Sequence, residues 1–189
     1  MIKLSENALA RHEAGHAVLA VAYERSLTSI KIDPANNCGN VEFKPSMVYV
    51  GPHAATRFAG PLSQLLKYAS SVEPYRDKCL QSIIFEQLDQ NKAVYEYNVL
   101  NWAHDLLSFF CYPPGLMKEL KKLEIGLKIY LQRDTVQEAL SRTETLLIEN
   151  HNPTATIAEE MILSLLSMKD KNPCFSVVLN NAHLSPSAK

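Results

Sequence analysis

From Ala8 to Tyr23 the chain is apolar nearly all round, with no proline and no two-residue alternation. A segment of that kind predicts a helix buried on every side. Ser5 is placed to cap it, with Glu6 in the first turn. Residues 28–33 (Thr-Ser-Ile-Lys-Ile-Asp) then alternate with period two, residues 34–39 are turn chemistry, and residues 40–43 alternate again. That order predicts a small antiparallel hairpin. Everything after it reads helical: 52–69 with a kink or break near Gly60-Pro61, about 74–110 ending at Pro113-Pro114-Gly115, then 116–131 and 135–149. Asn152-Pro153 reads as an N-cap followed by a first-position proline, opening a last helix over 154–168. Beyond it lie one apolar run (175–179) and a polar end, which read as a partly flexible tail. The expectation is a mainly α (α+β) domain over residues 1–168 with one small hairpin beside the first helix, and a C-terminal tail over 169–189.

Composition narrows the class. The chain has 189 residues, 47% hydrophobic and 21% charged, within the range of one ordinary globular domain. A net charge of −1 gives no electrostatic footprint for nucleic acid or an anionic membrane surface. The longest apolar stretch, Ala17 to Tyr23, is far short of the ~20 residues needed to span a bilayer. The first residues, Met-Ile-Lys-Leu-Ser-Glu, show no signal-peptide hydrophobic region. The four cysteines (38, 79, 111 and 174) are scattered without a C-x-x-C pair, which reads as reduced thiols in a cytoplasmic protein.

Chemistry concentrates in the first helix. Residues 12–16 are His-Glu-Ala-Gly-His, an H-E-x-x-H pattern. Four residues are a little over one helical turn, so His12 and His16 project from one face and can grip a zinc ion, with Glu13 beside the metal. On a buried helix these groups need partners, because unsatisfied buried polar groups are costly. A metal would supply one; bonds from core histidines to backbone carbonyls are the alternative. Gly15, in mid-helix, costs up to ~1 kcal/mol against alanine and points to close approach of another backbone.

A catalytic zinc usually has three protein ligands and one open position. The residues after the motif are apolar, so the third ligand must come from farther along. His53, Asp77, Glu86, Asp89, Glu96, His104 and Asp105 are candidates, and spacing alone does not choose among them.

The run from Ala10 to Val18 resembles the zinc helix of FtsH-type peptidases, the protease domains attached to membrane-bound AAA+ unfoldases and their shorter stand-alone relatives. The hairpin ending Gly39-Asn40-Val41-Glu42-Phe43 is similar to that family's active-site edge strand. Residues 51–61 resemble its G-x-A-A-x-x-x-x-G helix, and residues 143–151 and 157–158 resemble its closing helices. The likeness covers roughly residues 5–168, and only the zinc helix is specific. It implies a helical zincin-like peptidase fold and a third ligand that is an aspartate on a later helix. Asp89 fits that aspartate in Asp-Gln-Asn-Lys-Ala and is the favoured third ligand, with Glu86 and Asp105 behind it. A second alignment over residues 98–104 puts Val99 at the ligand position and would leave the site without its third ligand.

The expected activity is zinc-dependent hydrolysis of peptide bonds in peptides or unfolded proteins. The metal-bound water would be activated by Glu13 as general base. Substrate would pair along the hairpin edge, with Val41 and Phe43 as walls. The chain carries no P-loop, so it would act without ATP by itself, as a homo-oligomer or with a partner protein. The alternative is a catalytically inactive peptidase-like fold with a binding or regulatory role.

Overall fold

The computed structural model describes residues 6–44, 50–68, 105–106 and 114–175. It is mainly helical with one two-stranded antiparallel sheet. In chain order the elements are α1 (Glu6–Ala22), β1 (Leu27–Asp33), β2 (Cys38–Phe43), α2 (Val50–Tyr68), α3 (Pro114–Leu131), α4 (Asp134–Glu149) and α5 (Ala155–Leu165). Ser5 and most of the helix expected over 74–110 lie outside the described residues.

Helix α1, apolar nearly all round, is buried from Ala8 to Ala22, as its sequence requires. It packs against α2, α4, α5 and both strands. Gly15 is where α2 comes closest: a Cβ there would fall under 3.0 Å from the Ala59 carbonyl and Ser63 Oγ. The Ser63 hydroxyl fills this seam, donating to the Arg11 and Gly60 carbonyls. Arg11 itself is 1% exposed. Its guanidinium donates to Gln137 Oε1 at 2.8 Å and lies 3.5 Å from Glu144 Oε2. Lys67 Nζ, at the exposed rim, meets the same Glu144 carboxylate at 2.6 Å, so one charge cluster with a buried Arg11–Glu144 centre joins α1, α2 and α4.

The hairpin pairs Ile30 with Val41 and Asp33 with Cys38, with a register irregularity between Leu27 and Ser29. Asp33 closes the turn by accepting from the Ala35 and Asn36 amides. On β1's other side the Ile32 N–H donates to the His151 carbonyl and the Leu27 N–H to Glu159. His151, placed by its sequence at a helix end, also lies 2.5 Å from Glu6 Oε1.

Three helices differ from expectation. Helix α2 runs unbroken through Pro61, because its buried face (Ala54, Ala55, Phe58, Ala59, Leu62, Leu65) outweighs the ~3 kcal/mol an interior proline costs. Helix α3 begins at Pro114 rather than after it, since proline's fixed φ suits a first turn. Helix α5 is shorter at both ends, with Thr154 as N-cap and Leu166 as C-cap. Its exit is set by Asp170, whose carboxylate accepts from the Ser167 amide and hydroxyl, Thr135 and Arg133. The first residues of the expected tail are therefore packed. The Tyr130 hydroxyl donates to the Asp170 carbonyl, Tyr23 to that of Pro173, and the Asn172 amide to that of Ala22.

No helix among the described residues is long and apolar enough to cross a membrane.

Candidate metal centre

Helix α1 carries His12, Glu13 and His16 into the interior, 4%, 5% and 7% exposed. Helix α2 lies against that face and supplies what the rings need behind them. The His12 Nδ1 is 3.1 Å from Gln64 Oε1, and the His16 Nδ1 is 2.7 Å from the Thr56 carbonyl. Both partner atoms are oxygens that accept, so each Nδ1 donates to one, and each ring in its neutral form turns an Nε2 lone pair inward.

Those two lone pairs point at one place. His12 Nε2 and His16 Nε2 are 3.1 Å apart, and Asp105 Oδ2 lies 2.8 Å from the first and 3.2 Å from the second. Three electron-rich atoms at such separations repel unless a proton or a metal cation lies among them: a proton makes the contacts hydrogen bonds, and a metal makes the atoms ligands. A tetrahedral zinc with bonds of ~2.0–2.1 Å sets its donors ~3.3 Å apart, close to the three edges here. Two neutral imidazoles with second-sphere acceptors plus one carboxylate is also a usual catalytic zinc set. His12, His16 and Asp105 are the one group among the described residues with this capacity.

Gly60 of α2 closes the back of the site. A Cβ at that position would fall under 3.0 Å from His16 Nε2 and His12 Nε2. On the opposite side, Gly39 of β2 lies against the Glu13 side chain.

Electrostatics separate the two carboxylates. Burial works against ionised Asp105, but His16 and His12 outweigh it through charge and hydrogen bonds and hold the group far below the usual carboxylate range. Burial pushes Glu13 up to about 7; His12 pulls it down, Asp105 adds to the rise and Arg57 opposes it. One carboxylate is thus held as an anion among the ligand atoms, and the other is poised to exchange a proton near neutrality. Arg57 NH1 contacts the remaining Asp105 oxygen, Oδ1, at 3.3 Å. A cleft of about 120 Å³ opens onto this group, walled by Val41 and Phe43 among others. The same two side chains pack partly against the core, and the Arg25 guanidinium stacks 5.0 Å from the Phe43 ring centre.

Of the seven candidates for third ligand, His53 and Asp105 fall within the described residues. Asp105 joins the histidines and His53 does not. Asp89, the favoured candidate, lies outside the described residues, as do Asp77, Glu86, Glu96, His104 and the Val99 of the alternative alignment. The supporting residues on α2 had no role assigned from sequence. Their four-residue spacing puts Thr56, Gly60 and Gln64 on one face of a helix, but it does not reveal what each does there. Asp105 had a signal too, as a lone carboxylate inside the apolar run from Leu100 to Phe110.

No protein-family model matches this chain, and no curated protein matches it.

Proposed function

We propose that this protein is a zinc-dependent metallopeptidase of the FtsH type, with His12, His16 and Asp105 as metal ligands and Glu13 as general base. The observation that carries the reading is the convergence of His12 Nε2, His16 Nε2 and Asp105 Oδ2, 2.8 to 3.2 Å apart. Gln64 and Thr56 accept behind the rings, which leaves the Nε2 lone pair of each neutral imidazole for a metal at that point.

A zinc ion at that point would polarise a carbonyl and supply an activated water. The chain's own residues account for the rest. Glu13, one residue on from His12 and pushed up to about 7 by burial, takes a proton at its carboxylate and returns it to the departing amine. Val41 and Phe43 flank the approach. Strand β1 is covered by the loop before α5 through the Ile32–His151 bond, which favours β2 as the edge where an extended peptide adds by main-chain pairing. Substrates are peptides or unfolded proteins, since the cleft admits only a short length of chain. A cytoplasmic setting belongs to the same reading and is supported by the exposed free thiols of Cys38 and Cys174.

Elemental analysis tests it. Zinc-reconstituted protein should hold about one zinc per chain. Glu13→Gln should keep that zinc and lose peptide cleavage by ~10²-fold or more. Folded protein that takes up no zinc, or a Glu13→Gln variant that still cleaves, overturns the proposal.

A further inference from the structure

The cleft beside the ligand atoms is uneven in charge. Glu13 and Asp105 bring carboxylates to its floor, and Arg57 is the one arginine or lysine on its walls among the described residues. Arg57 is only partly engaged. Its contact is with Asp105 Oδ1 at a long 3.3 Å, and its side chain is 45% exposed. A guanidinium has five donors, and Asp105 is already held at its other oxygen by both histidines.

A second guanidinium lies nearby: that of Arg25 stacks 5.0 Å from the centre of the Phe43 ring that walls the cleft. One turn earlier on α2, His53 is pushed down by burial and then by these two guanidiniums, so it adds no charge at neutral pH. The first turn of α2 carries no acidic residue to balance them. This flank of the cleft therefore presents positive charge within one carboxylate's width of the metal ligands.

At about 120 Å³ the cleft is well below the ~300–1,000 Å³ of whole-ligand pockets, so it receives a short part of a longer molecule. An extended chain advances ~3.3 Å per residue. A group that reaches Arg57 thus lies one or two residues from a bond held beside Glu13.

We infer that Arg57 is the specificity residue of this cleft and binds a substrate carboxylate one or two residues from the bond under attack. The inference rests on the peptidase reading above for the identity of that bond. The carboxylate can be an acidic side chain or the peptide's own C-terminus, and both offer the planar pair of oxygens that a guanidinium grips at two points.

Binding to the zinc-loaded Glu13→Gln protein tests this without turnover. Two pairs of fluorescent peptides serve as probes: one pair differs by Glu against Gln at a single position, scanned along the peptide, and the other by a C-terminal acid against an amide. The carboxylate member of at least one pair should bind about tenfold to hundredfold more tightly, as one charge-assisted hydrogen bond provides, and the pair that discriminates identifies the source. In Glu13→Gln/Arg57→Gln the ratio should fall to near one. Arg57→Lys, which cannot make the two-point contact, should retain only part of it. The lysine variant carries the test if the glutamine variant does not fold. No discrimination in either pair with Arg57 present, no binding of any peptide, or the same ratio after substitution overturns the inference. If the protein takes up no zinc, the peptidase reading fails. The peptide pairs measured on the metal-free protein then decide the role of Arg57 separately.

Discussion

Replacing Gly60 by alanine adds one methyl group where the two imidazoles meet. Its Cβ would fall under 3.0 Å from His16 Nε2, His16 Cε1 and His12 Nε2. The rings have little room to retreat. Moving His16 breaks the 2.7 Å bond to the Thr56 carbonyl, and moving His12 breaks the 3.1 Å bond to Gln64. Drawing α2 back as a whole opens the seam that Ser63 fills by donating to the Arg11 and Gly60 carbonyls. Overpacking of this kind costs ~1–3 kcal/mol, and the better helix propensity of alanine returns ~1 kcal/mol. The metal-free protein should therefore lose at most ~2 kcal/mol, or roughly 4–8 °C in Tm. Zinc binding should suffer far more. Ligand distances tolerate only ~0.2 Å, and loss of a second-sphere partner alone costs 10–100-fold. Competition with a chromogenic chelator should show zinc affinity reduced by about 100-fold or more. Gly126→Ala is the control, since its Cβ meets only the edge of the Phe175 ring at 3.1 Å, and it should bind zinc as the parent does. A folded Gly60→Ala protein with undiminished zinc affinity would mean that the histidine nitrogens do not converge beneath Gly60.

Asp105→Asn keeps the side chain's size and removes its charge. Zinc content should fall from about one per chain to under about a tenth, and unchanged content would remove Asp105 from the ligand set. Glu144→Gln leaves Arg11 and Lys67 facing a neutral amide at a site 3% exposed. It should cost ~3–5 kcal/mol, a fall of ~6–20 °C in Tm by circular dichroism, and a fall under ~2 °C would count against the charge cluster. Asp170 is raised by burial but lowered further by bonds from Ser167, Thr135 and Arg133, ending below its ordinary value. Its contribution is present above the unfolded carboxyl value of ~3.9 and fades as pH falls through the lower folded value. Asp170→Asn should thus be the less stable protein at pH 7, by ~2–4 kcal/mol, with the gap narrowing below about pH 4. A gap independent of pH would show that the carboxylate's charge is not what matters.

Local pattern was sufficient for α1, the hairpin and α4, because each has a period that matches one face or one burial state. It left Pro61 open between a kink and a break and placed the start of α3 after Pro114, two sites where the same residue type has opposite consequences. Helix α2 absorbs one proline because its face is buried, and the other begins α3 because a first turn needs no N–H there. The site divided in the same way. His12, Glu13 and His16 sit within five residues, and their chemistry is visible in that spacing. The third ligand comes from 89 residues beyond His16, and no local rule connects them. Asp105 stood among several candidates because its meaning depends on the helix it faces. The α2 residues behind the rings were hidden for another reason. Thr56 contributes a main-chain carbonyl and Gly60 the lack of a side chain, and residue identity announces neither.

The charge cluster of Arg11, Glu144 and Lys67, buried at its Arg11–Glu144 pair, has a consequence for motion. It joins the helix that bears the histidines to the helix that orients them and to α4 behind. Separating α1 from α4 strands Arg11 and Glu144 in an apolar interior, whereas Lys67 of α2 lies at the exposed rim and can return to water. Helices α1 and α4 are therefore expected to open as a single unit, with no cheaper partial opening between them. Backbone amides of α1 near His12 and His16 should exchange with deuterium only through global unfolding. The hairpin, held at its outer side by few bonds, is free to breathe on its own. The side of the centre lined by the hairpin yields first, and the side lined by helices keeps time with the whole molecule.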